Sequence, residues 1–476
     1  MKPLRLSEIA RMAGGRLVGD DVTVDALVTD TRTLPKPAAA DASGGALFVA
    51  LKGENFDGHD HVEAAVRGGV VAALVAHEVD APVAQIVVAD TERALADLAA
   101  ALQRARSSRI AAITGSNGKT SVKTLLLAVL QQECLRTGGA TYANPGNRNN
   151  EIGLPLAVID APDDARFAIY EMGAGKPGDI AYLTAVARPD VALVNNIAPA
   201  HLERMGSLLG VADTKAAVYD ALPPDGVAAI NADDAFAPYF AERAHGRRLI
   251  RFGLDASADL SARDIVADAA GSRFVLVTPQ GEVATHLALA GRHNVMNALA
   301  AASLALGLGV PLETIATGLG AAQPVAGRLI SHRLGNGAVL IDDSYNANPG
   351  SLAAAIDTLA DASRDGEGWL VLGDMRELGA DAEAMHAEAG RRAKAAGLAR
   401  LYTLGRLSAA AADAFGAGAH HHDNHAALIQ TLAHELRDTA PANVRVLVKG
   451  SRGSAMDRIV TALVAGTTTG GNTDAA

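Results

Sequence analysis

Residues 112–124 read AITGSNGKTSVKT, and their types suit the grip of a phosphate chain. Gly115 and Gly118 free the backbone to curl so that successive N–H groups converge on phosphate oxygens, with Ser116 and Asn117 between them. Lys119 can reach the outer phosphates, and the Thr120 hydroxyl can hold Mg²⁺. The common nucleotide loop carries a glycine at the position occupied here by Ile113, so this stretch is the shorter T-G-x-x-G-K-T. The apolar run Ile110–Ile113 predicts a buried strand, and the spacing over Ser121–Leu130 predicts a helix whose N-terminus adds positive potential. Strand, glycine turn and helix in this order predict nucleotide binding.

Other polar residues follow strand-like apolar runs, where an α/β site gathers its ligands. Glu171 closes RFAIYE, and Asn195, Asn196 and His201 follow VALV; downstream of a phosphate loop they could frame a Mg²⁺ site. Lys215, in GVADTKAAVYDAL, reads by composition as an ordinary helical lysine. Were burial to lower its pKa from the usual value of about 10.4, the free amine could take up CO₂ as a carbamate and become an anionic oxygen ligand. Asn294 and Asn297 share one helical face in GRHNVMNALAA and could read a nucleobase or cap a neighbouring loop. The run VLIDDSYNANPGS ends a strand in Asp342 and Asp343, and VLVKGSRGSAMD places Lys449 and Arg452 among small residues, which suits an anion or carboxylate. The HHHDNH stretch at 420–425 could bind a transition metal, though exposed histidine-rich loops often do so adventitiously.

The elements that must position these residues follow from length and pattern. A chain of 476 residues predicts about three domains. Hydrophobic residues make up 49% and aromatic ones only 3%, so the cores are packed by aliphatic side chains and there is no stacking platform for nucleic acid. The net charge of −11 also excludes a broad basic surface for a phosphate backbone. One cysteine, Cys134, allows neither an internal disulfide nor a cysteine cluster, which fits a reducing compartment. No leader-like or membrane-spanning apolar run is present, so a soluble cytoplasmic protein without membrane insertion is expected. Residues 1–106 read as a small α/β unit. From 107 to 325, alternating strands and helices predict a mainly parallel sheet covered on both faces. Residues 326–465 repeat the alternation as a second doubly wound, Rossmann-like unit, and 466–476 read as a disordered tail.

Taken together the motifs resemble the Mur ligases, the ATP-dependent enzymes that build the peptide stem of bacterial peptidoglycan by forming amide bonds. The resemblance runs through LFVALKGENFDGHD (47–60), TGSNGKT (114–120), GNRNNEIGLPL (146–156), NNIAPAHLERMGS (195–207), GRHNVMNALAA (291–301), DDSYNANPGS (342–351), LGDMRELG (372–379) and KGSRGSAMD (449–457). It implies a first domain that binds a uridine-diphosphate substrate, a central ATP-binding domain and a C-terminal Rossmann-like domain.

By that resemblance Gly115, Ser116, Asn117, Gly118, Lys119 and Thr120 bind the ATP phosphates, and Thr120 holds one Mg²⁺. Glu171, His201 and carbamylated Lys215 organise a second Mg²⁺. Asn294 and Asn297 lie on the adenine side, while Arg328 and Asp343 contact phosphate and ribose. Thr29, Asp30, Thr31 and Arg32 belong to the uridine site, and Asn149 and Asn150 to a substrate loop. The implied substrates are UDP-N-acetylmuramoyl-tripeptide and D-alanyl-D-alanine, handled by a monomer in the bacterial cytoplasm. The connection between Arg32 and Phe48 is longer than usual for the family. A folate polyglutamate ligase would share the loop and two of the domains but not the first, and a nucleotide-driven switch would need the loop without the amide chemistry.

Overall fold

The computed structural model describes residues 1–33, 45–199, 201–268, 271–325, 327–438 and 443–468. Most of the long connection ahead of Phe48, residues 34–44, and the end of the expected tail, residues 469–476, lie outside them.

The central unit is built on a six-stranded parallel sheet in the order Arg248–Phe252, Val227–Asn231, Val191–Val194, Arg109–Thr114, Ala165–Glu171, Ala140–Ala143. Its strands are continuous apolar runs because both faces are covered, as a parallel sheet requires. The strand carrying the phosphate loop lies inside the sheet, between the strands that end in Val194 and Glu171. All three therefore deliver their C-terminal residues to one edge. One face is closed by helices Lys119–Thr137 and Arg292–Gly307, the latter buried along nearly its whole length. Alanines allow this close approach: a Cβ on Gly307 would already press on Val191.

The opposite face packs on helices Gly153–Asp160, Asp179–Ala187 and Leu208–Asp220. Its core continues into the first unit, whose helix Thr91–Arg104 lies against the first two of these. Buried Tyr170 donates to Gln103 Oε1 across this junction at 3.0 Å. The first unit has a five-stranded sheet, parallel except for the edge strand Arg16–Val18.

The third unit carries a six-stranded sheet with an antiparallel edge strand, Ile330–Arg333, and the other five strands parallel. Its two apolar clusters contain no residue of the other units. The hydrophobic effect thus joins the first two units into one body, while polar contacts join the third to them.

Two features differ from the sequence reading. A three-stranded antiparallel sheet, Ser261–Asp268, Gly271–Thr278 and Gly281–Leu287, projects from the central unit. The final helix, Asp457–Thr468, makes residues 466–468 helical rather than tail, because Ile459, Val460 and Leu463 bury its inner face. The histidine-rich stretch forms an edge strand, Ala419–His422, in which His420 stacks on Tyr402 and His421 Nδ1 pairs with Thr403. Among the described residues no helix is long and apolar enough to cross a membrane.

Candidate active site

The phosphate loop is held open by asparagines from the neighbouring strand end. Ser116 N donates to Asn196 O and Asn117 N to Asn196 Oδ1, each at 2.9 Å, while Asn195 Nδ2 donates to Asn117 O at 2.9 Å. Asn195 and Asn196 therefore fasten the loop, a use the sequence reading did not assign them. Gly118 has φ 78°, and a Cβ there would collide with Asn297 Oδ1 and Asn195 Nδ2. Gly118→Ala is accordingly expected to weaken ATP binding about tenfold, roughly 1.4 kcal/mol, in a titration that leaves the uridine-nucleotide affinity unmoved. The first-turn N–H groups of the helix starting at Lys119 have no intrahelical acceptor and point their dipole at the loop. Lys119 Nζ donates back to Gly115 O at 2.7 Å, the folded posture of a lysine that closes over its own loop.

Glu171, 3% exposed, is the hub beneath the loop. Its Oε2 accepts from Thr120 Oγ1 at 2.9 Å and pairs with Lys123 Nζ at 3.1 Å; its Oε1 accepts from Asn149 Nδ2 at 3.0 Å. Asn144 clamps the Glu171 backbone from both sides, through N–H and C=O. Burial alone would raise this carboxyl, but Lys123, Lys119 and the Thr120 hydroxyl hold it below the usual carboxylate range. Sequence reading missed Lys123. Its signal was present, since Lys119 and Lys123 lie four apart in one helix and so share a face.

Lys215 is 1% exposed on helix Leu208–Asp220. Burial, reinforced by the positive charge of Lys119, brings its amine down to about 7, so that near neutral pH about half is uncharged. Lys119 itself is pushed down by burial, against the pull of Glu171. His201 is lowered by burial, and it feels the charges of both Lys215 and Lys119 while Glu377 opposes the shift. Lys119, Glu171, His201 and Lys215 thus form one electrostatic neighbourhood.

The oxygens of Thr120 and Glu171 are a donor set that fits Mg²⁺. Among the described residues no three His, Cys, Asp or Glu side chains form a ready cage. A second cation there needs oxygen from a modified lysine or from substrate phosphate.

The third unit closes over this edge with polar groups. Arg328 donates to Thr120 Oγ1 at 2.9 Å, and Asn348 Nδ2 donates to Asn117 Oδ1 at 2.7 Å. Asn348 also caps helix Pro349–Ala362, which directs a second helix N-terminus at the loop region. The Arg328 and Arg452 guanidiniums lie 4.6 and 5.5 Å from the Tyr345 ring, a residue sequence reading did not single out. Asp343 is raised by burial, which the ammonium of Lys449 at 2.5 Å opposes.

Asn294 and Asn297 are both buried and linked to each other at 3.4 Å, and Asn297 Oδ1 accepts from Asn195 at 3.1 Å. In this arrangement Asn297 is engaged with the loop. Asn150 accepts from Gly153 N and starts the helix behind the substrate loop. Thr29–Arg32 form a local turn in the first unit, where the Arg32 guanidinium, paired with Asp30 at 2.7 Å, holds that carboxyl down to about 2.

Residues 113–305 match the Mur ligase middle domain, residues 327–452 the Mur ligase glutamate ligase domain, and residues 39–103 the Mur ligase family catalytic domain. The chain is 42% identical to the UDP-N-acetylmuramoyl-tripeptide–D-alanyl-D-alanine ligase of Escherichia coli K12, over 97% of this chain and 99% of that one. It is 37% identical to the ligase of the same name from Haemophilus influenzae, over 97% and 99% of the two chains. The crystal structure of MurF from Acinetobacter baumannii superposes with a TM-score of 0.90 at 32% identity, covering 98% of this chain and 99% of that one. With a phosphate loop, its acidic hub and a closing third unit in place along nearly the whole length of these relatives, the chain belongs to the Mur ligase family.

Proposed function

We propose that the chain is the ATP-dependent ligase that joins D-alanyl-D-alanine to UDP-N-acetylmuramoyl-tripeptide, producing the UDP-N-acetylmuramoyl-pentapeptide precursor of peptidoglycan. The observation that carries this reading is end-to-end likeness at 42% identity to a ligase of that name, in a chain whose third unit reaches the phosphate loop. A carboxylate is a poor electrophile. The tripeptide carboxylate oxygen therefore attacks the γ-phosphorus of ATP, ADP leaves, and the acyl phosphate is taken by the dipeptide amine, which forms the amide and releases phosphate and a proton.

Lys119 and the N–H groups of Gly115–Thr120 stabilise charge on the transferring phosphoryl group. Arg328 brings a further cation from the third unit, and closure keeps water from the acyl phosphate. Mg²⁺, when bound, neutralises phosphate charge and polarises the phosphoryl oxygens. Thr120 would hold one ion, and Glu171, His201 and carbamylated Lys215 would hold the other. Asn294 and Asn297 serve the adenine side and Asp343 the ribose. Thr29–Arg32 take the uridine nucleotide, Asn149 and Asn150 the peptide stem, and Lys449 and Arg452 an anionic group of a substrate. The protein works as a cytoplasmic monomer.

The test is phosphate release from ATP and Mg²⁺ with both substrates, each omitted in turn, with the product weighed. Release that needs both substrates and yields the pentapeptide mass supports the assignment; activity with folate-type substrates, or ATP binding without product, overturns it.

Lys215 supports a finer reading. Its neutral amine forms an N–C bond to CO₂ and loses one proton to solvent, which converts an uncharged amine into the carboxylate-like anionic donor that a second Mg²⁺ would require. With ¹³C-labelled bicarbonate the protein should show a carbamate resonance, and Lys215→Arg should lack it.

A further inference from the structure

Two left-handed residues face each other across the boundary between the central and third units: His201, with φ 55°, and Glu377, with φ 61°. Neither is a glycine, so each conformation is strained and persists only where its surroundings fix it. Strain of this kind on both sides of one contact points to a functional demand on the contact itself. The Glu377 carboxylate meets His201 Nδ1. A carboxylate only accepts, so Nδ1 carries the proton, and in the neutral ring Nε2 keeps its lone pair.

Everything around Glu377 is anchored. The Asp374 carbonyl accepts from Ser451 N at 3.1 Å and Ser454 Oγ at 2.9 Å, and its carboxylate accepts from Ser408 N at 2.8 Å. Met375 N donates to Nε2 of buried His386, and Arg376 N to Ser451 Oγ, each at 2.9 Å. Leu378 is buried on the far side. The short helix Leu202–Met205, which follows His201, packs against the turn Gly379–Asp381, which follows Glu377, so both backbones are seated. Between these anchors the Glu377 side chain remains 59% exposed and reaches across to the central unit.

Resting on the reading of His201 as a metal ligand, we propose that Glu377 is its positioning residue: the carboxylate fixes the ring and tautomer so that Nε2 faces the Mg²⁺ site. Because Glu377 belongs to the third unit, it does this only when that unit has closed. Metal grip and closure then favour each other, since whatever binds the closed state more tightly shifts the chain toward it.

Mn²⁺ binding read by electron paramagnetic resonance, on the full chain with a non-hydrolysable ATP analogue and UDP-N-acetylmuramoyl-tripeptide, reports the site without turnover. Glu377→Ala, an exposed truncation whose fold circular dichroism verifies, should weaken one Mn²⁺ site about tenfold. His201→Ala should weaken the same site. If His201→Ala leaves Mn²⁺ binding intact, the ligand reading fails and this proposal falls with it. If His201→Ala acts and Glu377→Ala does not, the proposal alone is overturned. A Glu377→Ala protein with normal Mn²⁺ binding and a raised KM for D-alanyl-D-alanine would likewise overturn it, making the carboxylate a contact for the dipeptide ammonium.

Discussion

Lys119→Ala is expected to lower turnover by about three orders of magnitude while the protein stays folded, with a thermal midpoint no lower than the parent's. The rate effect follows from the task. Phosphoryl transfer leaves little for a protein to do except position groups and offset charge, and a cation aimed at the transferring group carries about 10³-fold or more of the rate. Lys119 starts the helix at the loop, and its amine lies 2.7 Å from Gly115 O, which places a cation at the loop proposed to hold the phosphates. The stability effect has the opposite sign from the usual loss of a buried residue. Burial lowers the Lys119 amine below its unfolded value of 10.5, so between the folded and unfolded values the unfolded chain binds more protons. Stability contributed by this group therefore rises with pH through that window, and at neutral pH the buried cation opposes folding. Removing it relieves that opposition. Phosphate release and a melting curve on one preparation check both halves, and near-normal turnover would remove Lys119 from the mechanism.

The sheets were legible in the sequence wherever apolar runs end in turn-forming residues. Ile110–Ile113 and the runs RFAIYE and VALV were read almost to the residue, because strands buried on both faces carry unbroken apolar signal. The projecting sheet was lost for the converse reason. Ser261–Asp268 is polar, carries a bulge between Arg263 and Val266 and a left-handed Asp264, and so has no clean period. Its partner strands were readable, since FVLVT and EVATHL flank Pro279, Gln280 and Gly281 as a hairpin would.

Within the site, the loop and Glu171 could be picked out because each follows or ends a strand with its own pattern, whereas Lys215 reads as an ordinary helical lysine and stood out only through the family resemblance. What sequence could not supply was pairing across the third unit. Asn117 and Asn348 are separated by 231 positions, and Thr120 and Arg328 by 208, so neither bond has a local signature. The same holds for Glu377, whose neighbours in the chain describe only a turn. Carboxylate burial was also invisible: nothing in RFAIYE says that Glu171 has a lysine beneath it rather than water.

That buried pair sets the second large effect. Glu171→Ala should remove turnover by withdrawing the carboxylate that accepts from Thr120 and that we propose as a cation ligand, and it should also destabilise the central unit. Lys123, with 8% of its side chain exposed, would keep its charge but lose its counter-ion. Stranding a buried charge in this way costs about 3–5 kcal/mol. Here the lower end applies, because Lys123 Nζ retains the Asn144 and Gly146 carbonyls at 3.0 and 3.1 Å. For a unit of this size about 3 kcal/mol lowers the melting midpoint by on the order of 10 °C. The pH dependence carries its own sign. Glu171 titrates below its unfolded value of 4.5, so its contribution is present above about pH 4.5 and lost as pH falls through the folded value. The variant should lack that acid limb. Adding Lys123→Met to Glu171→Ala separates the two roles, since an apolar side chain of similar length removes the stranded charge. The double variant should regain most of the lost midpoint and none of the turnover. If Glu171→Ala melts with the parent, no buried charge has been stranded, and the structural half of this argument fails while the catalytic half still stands on the activity measurement.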